Sequence, residues 1–390
     1  MSTTIAAVLA ALITTGLTSA VSHEFTIVGG SMAAVLFAVS TVVQRNVTVY
    51  TTFLFGAICM VMIALVSSEV NTAPITNTVH VVSMYVALIS LAFSSPDRST
   101  FCPQFIMLTN LIVTTSVLYQ GLNGELLKAW QISNPAGGPN IMAAHINMTL
   151  PLVLVLIHEA TGLKKMALVV LSCLNCFAVV LIMSRNGIGT MLIILTLYVL
   201  FNHKRMAVVV SSTIIGICMS LDSVMQLPFV HNLLLRMRFV GYNATAPRTL
   251  IWRVAWDHIS THQLLGVGPG GPKRALAVID TYHCHNNFVQ VALETGIPSF
   301  AIFSLLVILL LLMPARAVLR GRSCFVFTLP ILAYLSYSWT EMPLTFPGTT
   351  LLLAACVHEA RLAVQRRDEP LPALKYPHLS SPPKRIAAAA

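Results

Sequence analysis

The chain has 390 residues, of which 56% are hydrophobic and only 9% are charged, and its mean hydropathy is +0.81. Because a soluble domain averages about 25% charged residues, this composition excludes an ordinary soluble enzyme and a disordered chain, and leaves a polytopic membrane protein. The formal net charge of +10 has two explanations. It reflects either a surface for anionic ligands or cytoplasmic loops that follow the positive-inside rule.

The apolar stretches predict an all-α polytopic fold. A bilayer core of about 30 Å needs roughly 20 apolar residues per helix. Windows of that length predict about twelve transmembrane helices, near residues 3–21, 25–43, 49–68, 75–94, 101–120, 140–158, 165–183, 187–202, 205–221, 286–313, 325–340 and 347–364. We therefore divide the chain into helices 1–9 (1–221), a long loop (222–285), helices 10–12 (286–365) and a disordered tail (366–390).

The distribution of basic residues predicts the orientation of these helices. An even number of spans places both termini on one side of the membrane. With the termini inside, the inner loops and the tail hold most of the 23 Lys and Arg residues, whereas the short outer loops carry only Lys128 and Arg185. Since basic residues are enriched in cytoplasmic loops, we expect cytoplasmic termini and an outward-facing long loop. The net charge is then a signal of topology rather than of ligand.

The loop at 222–285 is too long for a passive connection, and long loops in compact proteins are usually functional. Its stretch 249–262 predicts an amphipathic helix with these positions at helical spacing: Leu250, Ile251, Val254, Ala255, His258 and Ile259. Four glycines and two prolines then fall between residues 266 and 272. They predict a turn-rich return of the chain toward the membrane.

From Arg248 the sequence reads RTLIWRVAWDHISTHQLLGVGPGG, and further on TYHCHNNFVQVALETGIPSF. An Arg before Ile-Trp, a Leu-Gly-x-Gly turn, a His-Asn pair and Glu-x-Gly-Ile-Pro occur here in order. They stand at Arg248, Ile251, Trp252, Leu265, Gly266, Gly268, His285, Asn286, Glu294, Gly296, Ile297 and Pro298. This set resembles the shared signature of the O-antigen ligase, O-antigen polymerase and protein O-oligosaccharyltransferase superfamily. Upstream, Gly138-Pro139-Asn140 and Ser184-Arg185 also resemble family motifs.

The resemblance implies a GT-C-like glycosyltransferase of the bacterial inner membrane with its active site on the periplasmic face. The leading interpretation is an O-antigen ligase. Such an enzyme moves a glycan from undecaprenyl pyrophosphate to a sugar hydroxyl of the lipid A-core. It is surrounded by membrane lipids, and it is expected to use no cofactor and to bind no nucleic acid. The polymerase would instead use a second carrier-linked unit as acceptor, and the protein O-oligosaccharyltransferase would use a Ser or Thr side chain.

A secondary transporter or lipid flippase is the alternative from a different class, because twelve spans are common there. Transporters place ionisable residues near the membrane midplane and often show two related halves. In this sequence the ionisable residues collect in one outer loop and at span ends, and no repeat is visible. The pattern therefore favours the glycosyltransferase.

The resemblance also assigns chemistry to individual residues. His285 matches the family's general base, and histidine suits that role because its ordinary pKa of about 6.5 lies near operating pH. The leaving pyrophosphate needs cations, and arginine binds two phosphate oxygens at once without losing its proton. Arg185 and Arg248 are the leading candidates, and Arg236 and Arg238 in the long loop are further ones.

Three other residues are candidates for positioning substrate. Asn140 could form a hydrogen bond with the substrate or brace the start of its helix, and Asn286 is a further candidate for positioning substrate. Trp252 could stack on a sugar ring or anchor its helix at the membrane interface. The sequence leaves these alternatives open.

Metal catalysis is the rival chemistry for the loop, because His258, His262, His283 and Cys284 together with His285 could supply zinc ligands on paper. The sequence HISTH, however, lacks the Glu that follows the first His in zinc proteases. Asp-x-Asp pairs, which hold Mg²⁺ in many glycosyltransferases, are also absent from the sequence. We therefore predict a metal-independent reaction. One base without a second nucleophilic carboxylate predicts inversion at the anomeric carbon.

Overall fold

The computed structural model describes residues 3–14, 31–39, 48–94, 101–122, 139–182, 184–202, 246–320 and 325–368. Its α-helices are α1 (Thr3–Thr14), α2 (31–39), α3 (Thr51–Val70), α4 (Ile75–Ala87), α5 (Phe101–Leu122), α6 (Pro139–Glu159), α7 (Gly162–Leu181), α8 (Arg185–Asn202), α9 (Ala246–Thr261), α10 (Pro272–Ala275), α11 (Asn287–Arg320), α12 (Leu329–Thr340) and α13 (Pro347–Asp368). Short 3₁₀ helices occupy Leu88–Ala92, Ala277–Ile279, Val326–Thr328 and Pro343–Thr345. Two strands, β1 (Thr48–Val49) and β2 (Phe93–Ser94), pair antiparallel.

Seven helices in the described part of the chain are long and apolar enough to cross a membrane. They are α3, α4 with its 3₁₀ extension, α5, α6, α7, α8 and the Asn287–Val318 part of α11. These correspond to the third to eighth and the tenth predicted spans, and they confirm an all-α polytopic membrane protein. Helices α1, α2, α12 and α13 occupy four further predicted spans but are shorter or less apolar. The span near 205–221, the first part of the loop and the tail after 368 lie outside the described residues, so the total of twelve stays a prediction.

Helix α6 is the central helix of the bundle. In the span of α6, 78% of the residues are buried, against 22% in α7, and α6 packs against α5, α7, α8 and α12. Its polar side chains are paired inside the bundle: Asn147 donates to the Gly187 carbonyl at 2.8 Å and to the Tyr337 hydroxyl at 3.1 Å. Helix α7 instead exposes apolar side chains such as Leu163, Met166 and Phe177. Such an apolar outer face suits contact with lipid rather than water.

The predicted amphipathic helix is present as α9. It buries Ile251, Ala255 and Ile259 against α11, as helical spacing requires. Leu250, by contrast, is 47% exposed. Leu250 precedes the buried stripe by one position, which is a rotation of about 100° around the helix axis.

The glycine-rich turn after α9 docks on α11 through its backbone. Val267 N–H donates to the Leu293 carbonyl at 2.8 Å, and Gly268 N–H donates to the Glu294 carbonyl at 3.1 Å. These two carbonyls are free for the turn because α11 is broken at Gly296, where φ is 83° and ψ is 178°. The sequence predicted one span near residues 286–313, and the break lies inside it. The Leu-Gly-x-Gly and Glu-x-Gly-Ile-Pro motifs therefore form one structural unit.

Candidate active site

Glu341, which follows α12, joins three elements of the bundle. Its Oε2 lies 3.2 Å from Nδ1 of His285, just before α11. Its Oε1 accepts hydrogen bonds from Nη2 of Arg248 on α9 at 3.0 Å and from Nδ2 of Asn140 on α6 at 2.6 Å. One carboxylate thus brings together the predicted base, a predicted phosphate-binding arginine and a predicted positioning residue. Its negative charge also offsets the charge of Arg248 in the free enzyme.

Glu341 was not among the site residues predicted from the sequence. The sequence does contain an indication of its role. Glu341 is a lone carboxylate between two predicted spans, and an ionisable residue at the end of a span is a candidate functional residue. Its side chain is 14% exposed, whereas the side chains of His285 and Arg248 are each 31% exposed. The base and the cation therefore remain open to a substrate, while the group that orients them is largely covered.

His285 has a left-handed backbone conformation, with φ of 49°. Such a conformation is uncommon for residues other than glycine, although histidine adopts it more readily than most, and it persists only where surrounding contacts enforce it. The preceding residue, Cys284, is held on both sides of its peptide unit. Its N–H donates to Oε1 of Gln290 at 3.0 Å, and its carbonyl accepts from Nε1 of Trp252 at 2.9 Å. Trp252 thus braces the segment that presents His285.

Asn286 acts as the cap of α11. Its side-chain oxygen accepts from the backbone N–H groups of Phe288 at 2.8 Å and Val289 at 3.1 Å, and its Nδ2 donates to the Trp339 carbonyl at 3.1 Å. Such a cap satisfies N–H groups that the helix itself leaves without partners. Asn286 is only 3% exposed, so this geometry favours bracing over contact with substrate.

Arg185 is the first residue of α8, and the residue before it is tied to the same network. Oγ of Ser184 donates to Oδ1 of Asn140 at 2.7 Å and accepts the N–H of Gly187 at 3.0 Å, which caps α8. A chain of hydrogen bonds therefore runs from the start of α8 through Asn140 to Glu341. Arg185 itself is half-buried. The other two candidates, Arg236 and Arg238, lie outside the described residues.

A second histidine packs directly on the predicted base. The ring of His283 meets that of His285 edge-on, with centroids 4.0 Å apart and planes at 85°. Burial lowers the pKa of His283 to about 4, and the neighbouring His285 lowers it in the same direction. His283 is therefore neutral near pH 7.

A cavity of about 520 Å³ opens beside the ring of His283. It is lined by the loop before α11, by α4 and by the segment after Glu341: Asn77, His80, Val81, Met84, Gly270, Pro272, Lys273, Tyr282, His283, Gln290, Glu294, Met342 and Phe346. Polar and apolar groups thus alternate around a space large enough for a small ligand. Buried Glu294 accepts hydrogen bonds there from the Gln290 side chain and the Gly270 backbone.

Fold and site together define a multi-pass membrane protein with a histidine, a carboxylate and an arginine joined at one end of a helical bundle. A family model described as O-Antigen ligase matches residues 167–304, which include Arg185, Arg248 and His285. This match supports a member of the O-antigen ligase-type superfamily. It indicates a glycosyltransferase-like activity of the ligase or polymerase type, with lipid-linked glycans and lipid A-core-type molecules as partners. Glu341 and Asn140 lie outside the matched residues, and no curated protein matches the chain.

Proposed function

We propose that this protein is an O-antigen ligase of the bacterial inner membrane. It transfers a glycan from undecaprenyl pyrophosphate to a sugar hydroxyl of the lipid A-core on the periplasmic face. His285 is the general base, and Arg185 and Arg248 bind the pyrophosphate, with Arg236 and Arg238 as further phosphate ligands. Both termini are cytoplasmic in this proposal, and the fold is GT-C-like.

The observation that carries the proposal is the double engagement of Glu341. One of its oxygens meets the ring of His285 at 3.2 Å and the other meets Arg248 at 3.0 Å. The reaction needs a base at the acceptor hydroxyl and a cation at the leaving group, a short distance apart. A carboxylate shared between the two holds them at such a separation, as positioned catalysis requires.

The contact with Glu341 also selects the nitrogen of His285 that reacts. A carboxylate next to Nδ1 favours the tautomer with its hydrogen on Nδ1, which leaves the lone pair on Nε2 for substrate. Nε2 takes the proton of the acceptor hydroxyl as that oxygen attacks the anomeric carbon. The bond from this carbon to the pyrophosphate oxygen breaks, and its electron pair leaves with the pyrophosphate, whose negative charge the arginines stabilise.

The proposed reaction inverts the anomeric carbon, because the nearby carboxylates are engaged by other groups. Retention would need a carboxylate able to attack the sugar. Within the described part of the site, Glu341 is engaged by three side chains, and Glu294 is buried against the glycine-rich turn. A single displacement assisted by His285 needs no such nucleophile.

The experiment is transfer in vitro from a defined undecaprenyl-pyrophosphate glycan by the purified full-length protein. Lipid A-core, a second carrier-linked unit and a Ser/Thr peptide are offered in parallel, with EDTA added to one set. The ligase proposal expects glycan on the lipid A-core and undiminished activity with EDTA. Product on the carrier-linked unit alone would identify a polymerase, and product on the peptide alone would identify a protein O-oligosaccharyltransferase. No transfer to any acceptor, with carrier movement across a vesicle membrane, would replace the proposal with a flippase.

A further inference from the structure

A second cluster of chemically reactive side chains lies inside the helical bundle. Cys102 stands at the start of α5, and His358 and Glu359 are adjacent on α13. One sulfur, one imidazole nitrogen and one carboxylate oxygen from these residues all lie within 4.8 Å of one another. Cys102 and His358 are each 1% exposed and Glu359 is 8% exposed, so the cluster is enclosed by protein.

The cluster lies at the opposite end of the bundle from His285. Helix α13 starts at Pro347, soon after Glu341, and His358 follows eleven positions later, about 17 Å along the helix at 1.5 Å per residue. Cys102 follows β2, which pairs with β1 at the end of the α3–α4 hairpin remote from the glycine-rich turn. This separation excludes the cluster from direct contact with the reacting sugar.

The burial of a carboxylate, an imidazole and a thiol at one place removes all three groups from water. Such groups are costly to bury unless they are paired, hydrogen-bonded or bound to a metal. One metal ion can engage all three donor atoms at once, because they lie within 4.8 Å of one another.

The three donors are those that zinc prefers. Zinc binds thiolate, imidazole and carboxylate at about 2.0–2.3 Å in tetrahedral geometry, which puts neighbouring ligands about 3–4 Å apart. Donor atoms within 4.8 Å of one another are close to that spacing. We propose that Cys102, His358 and Glu359 bind one zinc ion, with a fourth position left for a water molecule. Cys102 enters as thiolate, and its proton is released to solvent on binding.

The ion would have a structural role. It would fasten the start of α5 to the last third of α13, two helices that already pack together. Because a ligand that binds only the folded state raises its stability, zinc should raise the Tm without being needed for glycan transfer. The proposal is therefore independent of the proposed function, and each can fail alone.

The test uses full-length protein in detergent micelles, stripped with EDTA and then dialysed against micromolar ZnCl₂. We expect about one zinc per chain by elemental analysis and a higher Tm than that of the stripped protein. With Co²⁺ in place of zinc, a thiolate-to-cobalt charge-transfer band should appear. The His258→Gln/His262→Gln double variant removes two histidines near the end of α9, far from the cluster in the chain, and should keep both signals.

Cys102→Ser should lose the cobalt band and the bound zinc, and His358→Gln should lose the zinc. Cys176→Ser is the control, because this half-buried cysteine is on α7, and it should behave as wild type. Folded wild-type protein that takes up no zinc would overturn the proposal, whatever the stability of the variants. The proposal would also be overturned if Cys102→Ser retained the bound zinc and the cobalt band, or if the His258→Gln/His262→Gln double variant lost them.

Discussion

His285 Nδ1 lies 3.2 Å from Glu341 Oε2, although the two residues are 56 positions apart in the chain. The ring that the family motif presents is thus oriented by a carboxylate that the motif does not contain. The same carboxylate also binds Arg248. A substitution at position 341 should therefore affect both the proposed base and the proposed phosphate-binding arginine.

Replacement of Glu341 by Gln should lower kcat by about 100-fold or more, because the neutral amide no longer fixes the tautomer of His285 or stabilises its protonated form. Transfer assays with saturating donor measure the effect. Glu69→Gln is the matched control, because this carboxylate is exposed near the end of α3, and its kcat should equal that of wild type. Equal activity of Glu341→Gln and Glu69→Gln would contradict the positioning role.

Replacement of Arg248 by Lys should raise the KM for the lipid-linked donor by about tenfold, the equivalent of about one lost charge-assisted hydrogen bond. Lysine retains the charge but lacks the planar fork that binds two phosphate oxygens. Arg253→Lys serves as the control, because Arg253 is exposed on the same helix. A donor KM that is unchanged in Arg248→Lys would argue against pyrophosphate binding at this position.

Local sequence pattern was sufficient for much of the fold and for part of the site. Apolar windows identified α3 to α8, helical spacing identified α9, and the motif placed His285 and Arg248 in one loop. Glu341 was missed because its partners lie 56, 93 and 201 positions away, far beyond any periodic signal. The break at Gly296 was missed for a related reason. Its conformation is supported by a hydrogen bond from the Ile297 N–H to the Gln263 carbonyl, which only the folded chain brings together.

Two glycine substitutions test the break in α11. Gly296→Ala places a side chain at φ of +83°, where its Cβ would collide with the Leu264 carbonyl, so we expect a loss of about 2 kcal/mol or more in stability. Gly189 lies within α8 with no atom near an added Cβ, and Gly189→Ala should be neutral or stabilising by up to about 1 kcal/mol. Thermal unfolding in detergent measures both. An equal Tm for the two variants would refute the role of Gly296.

Acidification should destabilise the protein partly through His283. The pKa of His283 is about 4 in the folded state, below the ordinary value of about 6.5. As the pH falls from about 6.5 to about 4, His283 takes up a proton in the unfolded chain but not in the folded protein. The stability that is present above about pH 6.5 is therefore lost as the pH approaches 4.

The Tm of wild type should therefore fall more steeply between about pH 7.5 and pH 5 than the Tm of His283→Gln. His262→Gln, a change at an exposed histidine of the same loop, should follow wild type. Identical slopes for wild type and His283→Gln would show that His283 is not held in its neutral form.

The most direct test of the proposed mechanism is transfer to lipid A-core by His285→Ala, compared with wild type and His262→Gln. The donor is undecaprenyl-pyrophosphate glycan, and Tm and donor binding are measured on the same samples. The account predicts a fall in kcat of about 10²- to 10⁴-fold for His285→Ala alone, with folding and donor binding retained. Transfer by folded His285→Ala at the wild-type rate would contradict the assignment of His285 as the base.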